Sequence, residues 1–198
     1  MSWQCGAPIK IHMNTESAKN ELFHLIFTVG RVKDTIACDQ GLFSPDNKDF
    51  DALVAFAPEV FSVIQKAFTD RVATLFGKLL DKTKGTTSLP QWVNNYVDKP
   101  LKSQYLNGIK KIELTAKRIL AIRHNGVSHA NREYINGVDT LEAASHAELI
   151  TLAESIETLL NQLRIQYFPD IGYGQNNDMR EHVAAMMEKI KRLVLAEN

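Results

Sequence analysis

The chain has 198 residues, 44% of them hydrophobic and 23% charged, values that are typical of a globular domain and exclude a wholly disordered chain. Basic and acidic residues number 23 each, and a formal net charge of zero excludes a protein that coats nucleic acid or membrane through bulk charge. Cys5 and Cys38 stand in no metal-ligand spacing, so they indicate free thiols and not a disulfide-built fold.

No segment is typical of secretion or of membrane insertion. The N-terminus lacks a basic stretch followed by an apolar run, which is the pattern of a signal peptide. No apolar run approaches the roughly 18 residues that a membrane-spanning helix requires. We therefore expect a cytoplasmic protein with no membrane partner.

Apolar residues at helical spacing predict the first two helices. Residues 1–13 show no period and are expected to form an irregular arm, after which Asn14 and Thr15 are typical N-terminal caps. The turn residues within 41–47 are expected to end the first helix, and a second helix is predicted over about 50–82, with Pro58 either starting or kinking it. The apolar positions that carry these two predictions are Leu22, Ile26, Val29, Val32, Ile36, Phe61, Ile64, Phe68, Val72, Leu75 and Leu79.

Three further helices are predicted in the second half of the chain, together with one short helix. Ser88 is expected to cap the short helix, which has Pro90 in its first turn. A long helix begins near Leu101, and the spacing from Ser145 to Glu148 predicts a capping box at the start of the next. The apolar positions of these two long helices are Leu106, Ile109, Ile112, Ala116, Ile119, Leu120, Leu149, Leu152, Ile156, Leu159, Leu160 and Leu163.

The predicted elements indicate an all-α fold, an antiparallel helical bundle of four to six helices in one domain. Residues 14–168 are expected to form the bundle, and 177–196 a C-terminal helix along whose side Val183, Ile190 and Leu193 recur. No convincing strand pattern is present, because alternating apolar stretches are short and lie near turns.

Charge is unevenly distributed along this neutral chain. From Lys99 to Glu133 there are eight lysines and arginines and two acids, a net charge of +6. From Asp139 to Leu160 there are five acids and no lysine or arginine. The two charged helices either complement each other in the bundle or across a dimer, or the basic helix attracts a phosphate-bearing ligand.

Arg123 is out of place in this pattern. Steps of four, three and four residues from Ile112 pass through Ala116 and Ile119 and reach Arg123, so the arginine falls on an apolar stripe. An unpaired charge there would be costly, and a partner is required. That partner is a carboxylate such as Glu154 or Glu157, a phosphate, or a subunit interface.

His129 follows six positions later. In one continuous helix six residues turn about 600°, which separates the two side chains by about 120°. They converge on one ligand only if Gly126 breaks the helix or if a second copy of the chain completes the site. Histidine can accept a proton near neutral pH, and arginine can bind two phosphate oxygens, so the pair suffices in principle for metal-free attack of a ribose 2′-hydroxyl on its own phosphodiester.

Other chemistry is not indicated. His124 and His129 lack the i,i+4 spacing of a helical metal site, and the sequence contains no Walker loop, no dinucleotide-binding glycine pattern and no nucleophile elbow. No metal and no cofactor is therefore predicted.

The stretch 119–130, ILAIRHNGVSHA, resembles the signature of the HEPN superfamily, in which an arginine and an adjacent polar residue precede a histidine by a few positions at the end of a long bundle helix. Here the polar residue is His124, where the family often has Asn or Asp. The stretch 68–81, FTDRVATLFGKLLD, followed by Ser88-Leu89, is similar to the abortive-infection (AbiU-type) branch. The resemblance covers roughly residues 15–165.

The resemblance implies a homodimer in which the Arg–His motifs face each other, and a metal-independent ribonuclease that acts as a toxin or antiphage effector, with RNA and a cognate antitoxin as partners. Arg123 would stabilise the phosphate in the transition state, His129 would act as base or acid, and His124 would orient the scissile phosphate. Assistance in substrate binding is expected of Asn125, Ser128 and Arg132, and the only ground for it is that they lie near the motif in the sequence. The alternative is a non-catalytic helical module for dimerisation or protein binding, because many members of the superfamily are inactive.

Overall fold

A computed structural model describes residues 15–43, 57–122, 144–170, 172, 185 and 189. No strand occurs in these ranges, and the prediction of an all-α bundle is confirmed. The described helices are α1 (Thr15–Phe43), α2 (Pro58–Leu79), α3 (Leu89–Tyr96), α4 (Lys99–Ile122) and α5 (His146–Tyr167). Among them, none combines the length and the apolarity that crossing a lipid bilayer would demand.

The four long helices pack as an antiparallel bundle. Helices α1 and α4 each pack against both α2 and α5, so they occupy opposite corners. Lys33 and Asp39 of α1 pair with Glu157 and His146 of α5, so residue numbers rise along one helix as they fall along the other. The short helix α3 packs against α1 and α4.

Helix α1 has the predicted buried stripe, and its described part ends within the predicted turn cluster. Its N-terminus carries Glu16 in the first turn, and its predicted apolar positions are all buried. The described helix ends at Phe43, inside the range 41–47 that is expected to end it, and Gly41 itself is still helical. Leu42 and Phe43 are buried, and the Phe43 ring meets the ring of Phe68 edge-on at 6.3 Å. Residues 44–47 lie outside the described residues.

Helix α2 begins at Pro58, so the proline starts the helix. A proline in the first turn loses nothing, because the N–H groups there have no partner within the helix. The helix ends at Leu79, three residues before the predicted end, and the predicted segment 50–56 lies outside the described residues. The C-terminal half of its apolar stripe is buried from Val72 onward, whereas Phe61 and Phe68 are only half-buried.

Helix α3 confirms the predicted capped short helix. The Ser88 hydroxyl accepts a hydrogen bond from the Gln91 N–H at 3.4 Å and donates one to the Asp81 carbonyl at 2.5 Å. Trp92 is 1% exposed, and its indole N–H donates to the Ala18 carbonyl of α1 at 2.8 Å. Trp92 thereby anchors the short helix against α1, with its buried indole N–H hydrogen-bonded.

Helices α4 and α5 carry the predicted buried faces, and the capping box of α5 is present. The Ser145 hydroxyl accepts from the Glu148 N–H, and the Glu148 carboxylate accepts from the Ser145 N–H at 2.8 Å. Both ends of this box satisfy N–H groups that the first turn leaves without helical partners. Of the predicted C-terminal helix over 177–196, only residues 185 and 189 are described.

Candidate functional site

The six residues that the sequence assigns to the site lie outside the described residues. The chain enters their segment from Ile122, the last residue of α4, and the next described residue is Ala144, just before α5. The described part of the site therefore consists of the helices on either side of the segment and the part of α1 that packs against them. The six candidate residues that are not described are Arg123, His124, Asn125, Ser128, His129 and Arg132.

The buried face of α4 leads directly to this segment. Ile112, Ala116 and Ile119 are all buried in the core of the bundle. They are the residues from which the spacing to Arg123 was counted, and Ile119 precedes Arg123 by four positions. The premise that these positions form an inward-facing stripe is thus confirmed.

Two charged pairs fix the start of α5 against its neighbours. The Arg118 guanidinium of α4 binds the Glu148 carboxylate of α5. His146 Nε2 lies 2.5 Å from Asp39 Oδ2 of α1, across 107 residues of sequence. The other Asp39 oxygen is buried without a hydrogen-bond partner among the described residues. The C-terminal end of α4, the start of α5 and the last turns of α1 therefore meet at one end of the bundle.

Local contacts set the protonation of two groups at this end. The backbone N–H of Ser145 lowers the pKa of Glu148, with further contributions from the Ser145 hydroxyl and from Arg118. Burial raises the pKa of the Cys38 thiol, and the charges of Asp34 and Asp39 raise it further. At neutral pH the glutamate is thus anionic and the thiol is protonated, so Cys38 is a poor nucleophile.

The effect of Glu148 on stability should depend on pH. Its folded pKa lies below the ordinary 4.5, so its ionised form stabilises the fold fully above pH 4.5 and this contribution is lost as pH falls further. We expect Glu148→Gln, which keeps the capping geometry, to unfold at lower urea than wild type at pH 7, with a difference that shrinks as the solution is acidified.

The matched control is Glu154→Gln, an exposed glutamate of the same helix without an ion pair among the described residues. Its urea midpoint should follow that of wild type at every pH. A midpoint difference for Glu148→Gln that is constant from neutral to acidic pH would contradict the assigned role of its charge.

The basic and acidic helices complement each other only in part. Arg118 pairs with Glu148 as that arrangement requires. Glu157, one of the two carboxylates considered as a partner for Arg123, instead accepts from Lys33 Nζ at 3.0 and 3.2 Å. The other, Glu154, is exposed on α5. Neither carboxylate therefore projects as a free acceptor into the core.

A cavity of about 280 Å³ lies between α1, the end of α2 and the loop that follows it. The sequence did not predict it, because its lining comes from two separated stretches of chain. The hydroxyls of Thr28 and Thr86 within it already donate to the carbonyls of His24 and Thr83. The cavity thus lacks a convergent set of free hydroxyl donors, and within the described ranges no three His, Cys, Asp or Glu residues are grouped as a metal site requires.

Comparison with known proteins gives no match. No family model matches the chain, and no curated protein and no solved structure is significantly similar to it. Membership of the HEPN superfamily therefore rests on the residues of the sequence that resemble it and stays a prediction. The helical bundle does not depend on that membership.

Proposed function

We propose that this chain is a metal-independent endoribonuclease, acting as a toxin or antiphage effector, whose site is formed by Arg123 and His129 at a homodimer interface. In this proposal His124 orients the scissile phosphate. The polar side chains of Asn125, Ser128 and Arg132 contact the RNA. A cognate antitoxin protein would restrain the activity.

The proposal is supported above all by the buried stripe of α4. Ile112, Ala116 and Ile119 face the core, and the same spacing reaches Arg123 in the sequence. If the helical register continues to Arg123, its charge is on the inward side, where burial without a partner costs several kcal/mol. The two carboxylates of α5 that were considered as structural partners are otherwise engaged or exposed, since Glu157 binds Lys33. Of the partners considered for Arg123, this leaves a phosphate or a second copy of the chain, and the proposal uses both.

The chemistry needs no metal. Histidine removes the proton of the 2′-hydroxyl, whose oxygen then attacks the adjacent phosphorus. The bond from phosphorus to the 5′ oxygen breaks as that oxygen takes a proton from the imidazolium, so the proton balance is closed. Arginine donates to the two non-bridging oxygens, on which negative charge increases in the transition state. The products are a 2′,3′-cyclic phosphate and a 5′-hydroxyl.

The direct test is an assay of the full chain on bulk cellular RNA in excess EDTA. The proposal requires cleavage with 2′,3′-cyclic phosphate and 5′-hydroxyl ends. RNA that carries 2′-O-methyl groups on every ribose lacks the nucleophile and should stay intact. Inactivity of the wild-type protein, dependence on a divalent ion, or cleavage of the methylated RNA would sink the proposal.

A second candidate is a non-catalytic module for dimerisation or protein binding, and the outer face of α1 favours it. Phe23 and Phe27 lie one turn apart and are 56% and 57% exposed. The Arg31 guanidinium lies 5.9 Å from the centre of the Phe27 ring, and a Cβ at Gly30 would point into open space beyond its own turn of helix. Aromatic and arginine side chains are the residue types most enriched among strong contacts of protein interfaces.

Under this second candidate, replacing Phe23 and Phe27 with serine should weaken self-association at least tenfold, because each exposed ring would lose an interface contact of roughly 2 kcal/mol. Sedimentation velocity over a range of protein concentrations measures the change. The matched control is the double change Val60→Ser and Val63→Ser on α2, which removes another exposed apolar pair. Equal association constants for wild type and the phenylalanine variant would exclude this face as the dimer contact.

A further inference from the structure

Helix α4 presents a face of lysines to solvent. Lys110, Lys111 and Lys117 are exposed, and all three fall within about 120° of the helix circumference. Leu114, which is 69% exposed, lies between them. The lysines cover roughly 10 Å along the helix axis, and the last of them precedes Arg123 by six positions.

These three lysines, here called the lysine face, have no carboxylate partner in the part of the chain that the structure describes. The neighbouring cation Arg118 differs from them, because it binds Glu148. The one carboxylate within α4 is Glu113, and it is neutralised by Lys82, which reaches it from the loop before α3 at 2.7 Å. The positive charge of the lysine face is therefore not cancelled locally, although the whole chain is neutral.

Charges grouped in this way repel one another and weaken the helix slightly unless a polyanion binds them. Protein interfaces are poor in lysine, and their strong contacts are aromatic or arginine side chains. No aromatic side chain stands among the lysines of this face, and the arginine on the same side of the helix, Arg118, binds Glu148. Phosphate backbones, in contrast, are bound through lysine and arginine without reading the bases. The composition of the lysine face thus fits RNA better than an acidic protein.

We propose that the lysine face of α4 binds the phosphate backbone of single-stranded RNA. This inference rests on the proposed function for the identity of the polyanion. It assigns to Lys110, Lys111 and Lys117 a role in affinity and not in the chemical step. Sequence preference is not expected from these contacts, because phosphates are the same in every RNA.

The test is fluorescence anisotropy with a 3′-labelled single strand of about 20 nucleotides, measured in EDTA over a series of KCl concentrations. The strand carries 2′-O-methyl riboses, so that it cannot be cut. The triple variant Lys110→Gln, Lys111→Gln and Lys117→Gln should lower the slope of log affinity against log salt by about 2, and weaken binding roughly tenfold to a hundredfold at about 100 mM KCl.

The control variant Lys19→Gln, Lys78→Gln and Lys84→Gln removes the same charge from exposed lysines of α1, of α2 and of the loop that follows α2. Its affinity should stay within about twofold of wild type, since non-contacting charges act only through the screened field of the protein. Circular dichroism should give the same helix content for both triple variants. Equal loss of affinity in both variants would overturn the inference, because general charge would then explain it.

Two further outcomes would also overturn it. One is wild-type protein that fails to bind the RNA at low salt. The other is wild-type protein that binds poly-L-glutamate and not RNA, and that no longer binds it when Leu114 is replaced with glutamine. This result would identify an acidic protein as the partner of the lysine face. Selective loss of RNA binding by the lysine-face variant supports the inference even if the wild type cleaves nothing. If the lysine-face variant cleaved and bound RNA as the wild type does, the inference would fail. The proposed ribonuclease activity would still stand.

Discussion

Replacing Arg123 with alanine should slow RNA cleavage by about 10² to 10³, and replacing His129 with alanine should slow it by about 10² to 10⁴. The arginine change removes donors to oxygens whose charge increases only in the transition state. The histidine change removes the group that accepts the 2′-hydroxyl proton. Both losses should appear in kcat measured on a labelled RNA at saturating concentration, because neither role is needed for ground-state binding.

Matched controls are available elsewhere in the bundle. Arg71→Ala and His24→Ala remove exposed side chains of the same types from α2 and α1, and both variants should cleave at the wild-type rate. Cleavage that persists in the Arg123 and His129 variants would identify a contaminating nuclease or a different site. Either finding would contradict the assignment of the segment.

Mixing the two inactive variants tests whether the site is shared between subunits. If one copy supplies Arg123 and the other His129, a mixed dimer regains one intact site, and an equimolar mixture should recover about a quarter of wild-type activity. If Gly126 instead breaks the helix and both side chains come from one copy, the mixture stays inactive. The six-residue spacing leaves these two arrangements open, and the mixing experiment separates them.

The sequence predicted the bundle well because the period of its apolar residues follows directly from which side of each helix is buried. The caps at Ser88 and Ser145 were also predictable, since they depend on residues a few positions apart. The sequence left open whether Pro58 starts or kinks α2. The contact of Phe43 with rings of α2 was not predictable, because those residues are distant in sequence.

The ion pairs around the candidate site also could not be predicted from local sequence. Excess positive charge on α4 was visible in the sequence, but which of its cations are neutralised was not. Arg118 is paired across the bundle while Lys117, its neighbour in sequence, is exposed, and only the packing of α5 makes that distinction. The contact between Asp39 and His146 was equally hidden, because no local pattern connects residues 107 positions apart.

Replacing Trp92 with alanine should destabilise the protein by about 3 to 5 kcal/mol, the largest effect on folding that we expect from one residue. The side chain is 1% exposed, and its ring packs against the rings of Tyr96 and Tyr167 at centroid distances of 5.5 and 5.8 Å. Alanine would remove these contacts, leave a cavity beside α1 and delete the hydrogen bond to the Ala18 carbonyl. Urea unfolding followed by circular dichroism gives the change in free energy.

Two further variants test whether the loss of stability comes from the packing of α3 against α1 and α4. Trp92→Phe keeps an aromatic ring but cannot donate to Ala18, so its loss should be smaller than that of alanine and should include the roughly 1 kcal/mol of a net hydrogen bond. Leu114→Ala truncates a large apolar side chain that is 69% exposed and should change stability by no more than about 0.5 kcal/mol. If Trp92→Ala lowered the free energy of unfolding no more than Leu114→Ala does, the packing of α3 could not be what holds α1 and α4 together. The short helix would then be a connection between α2 and α4 and not a part of the core.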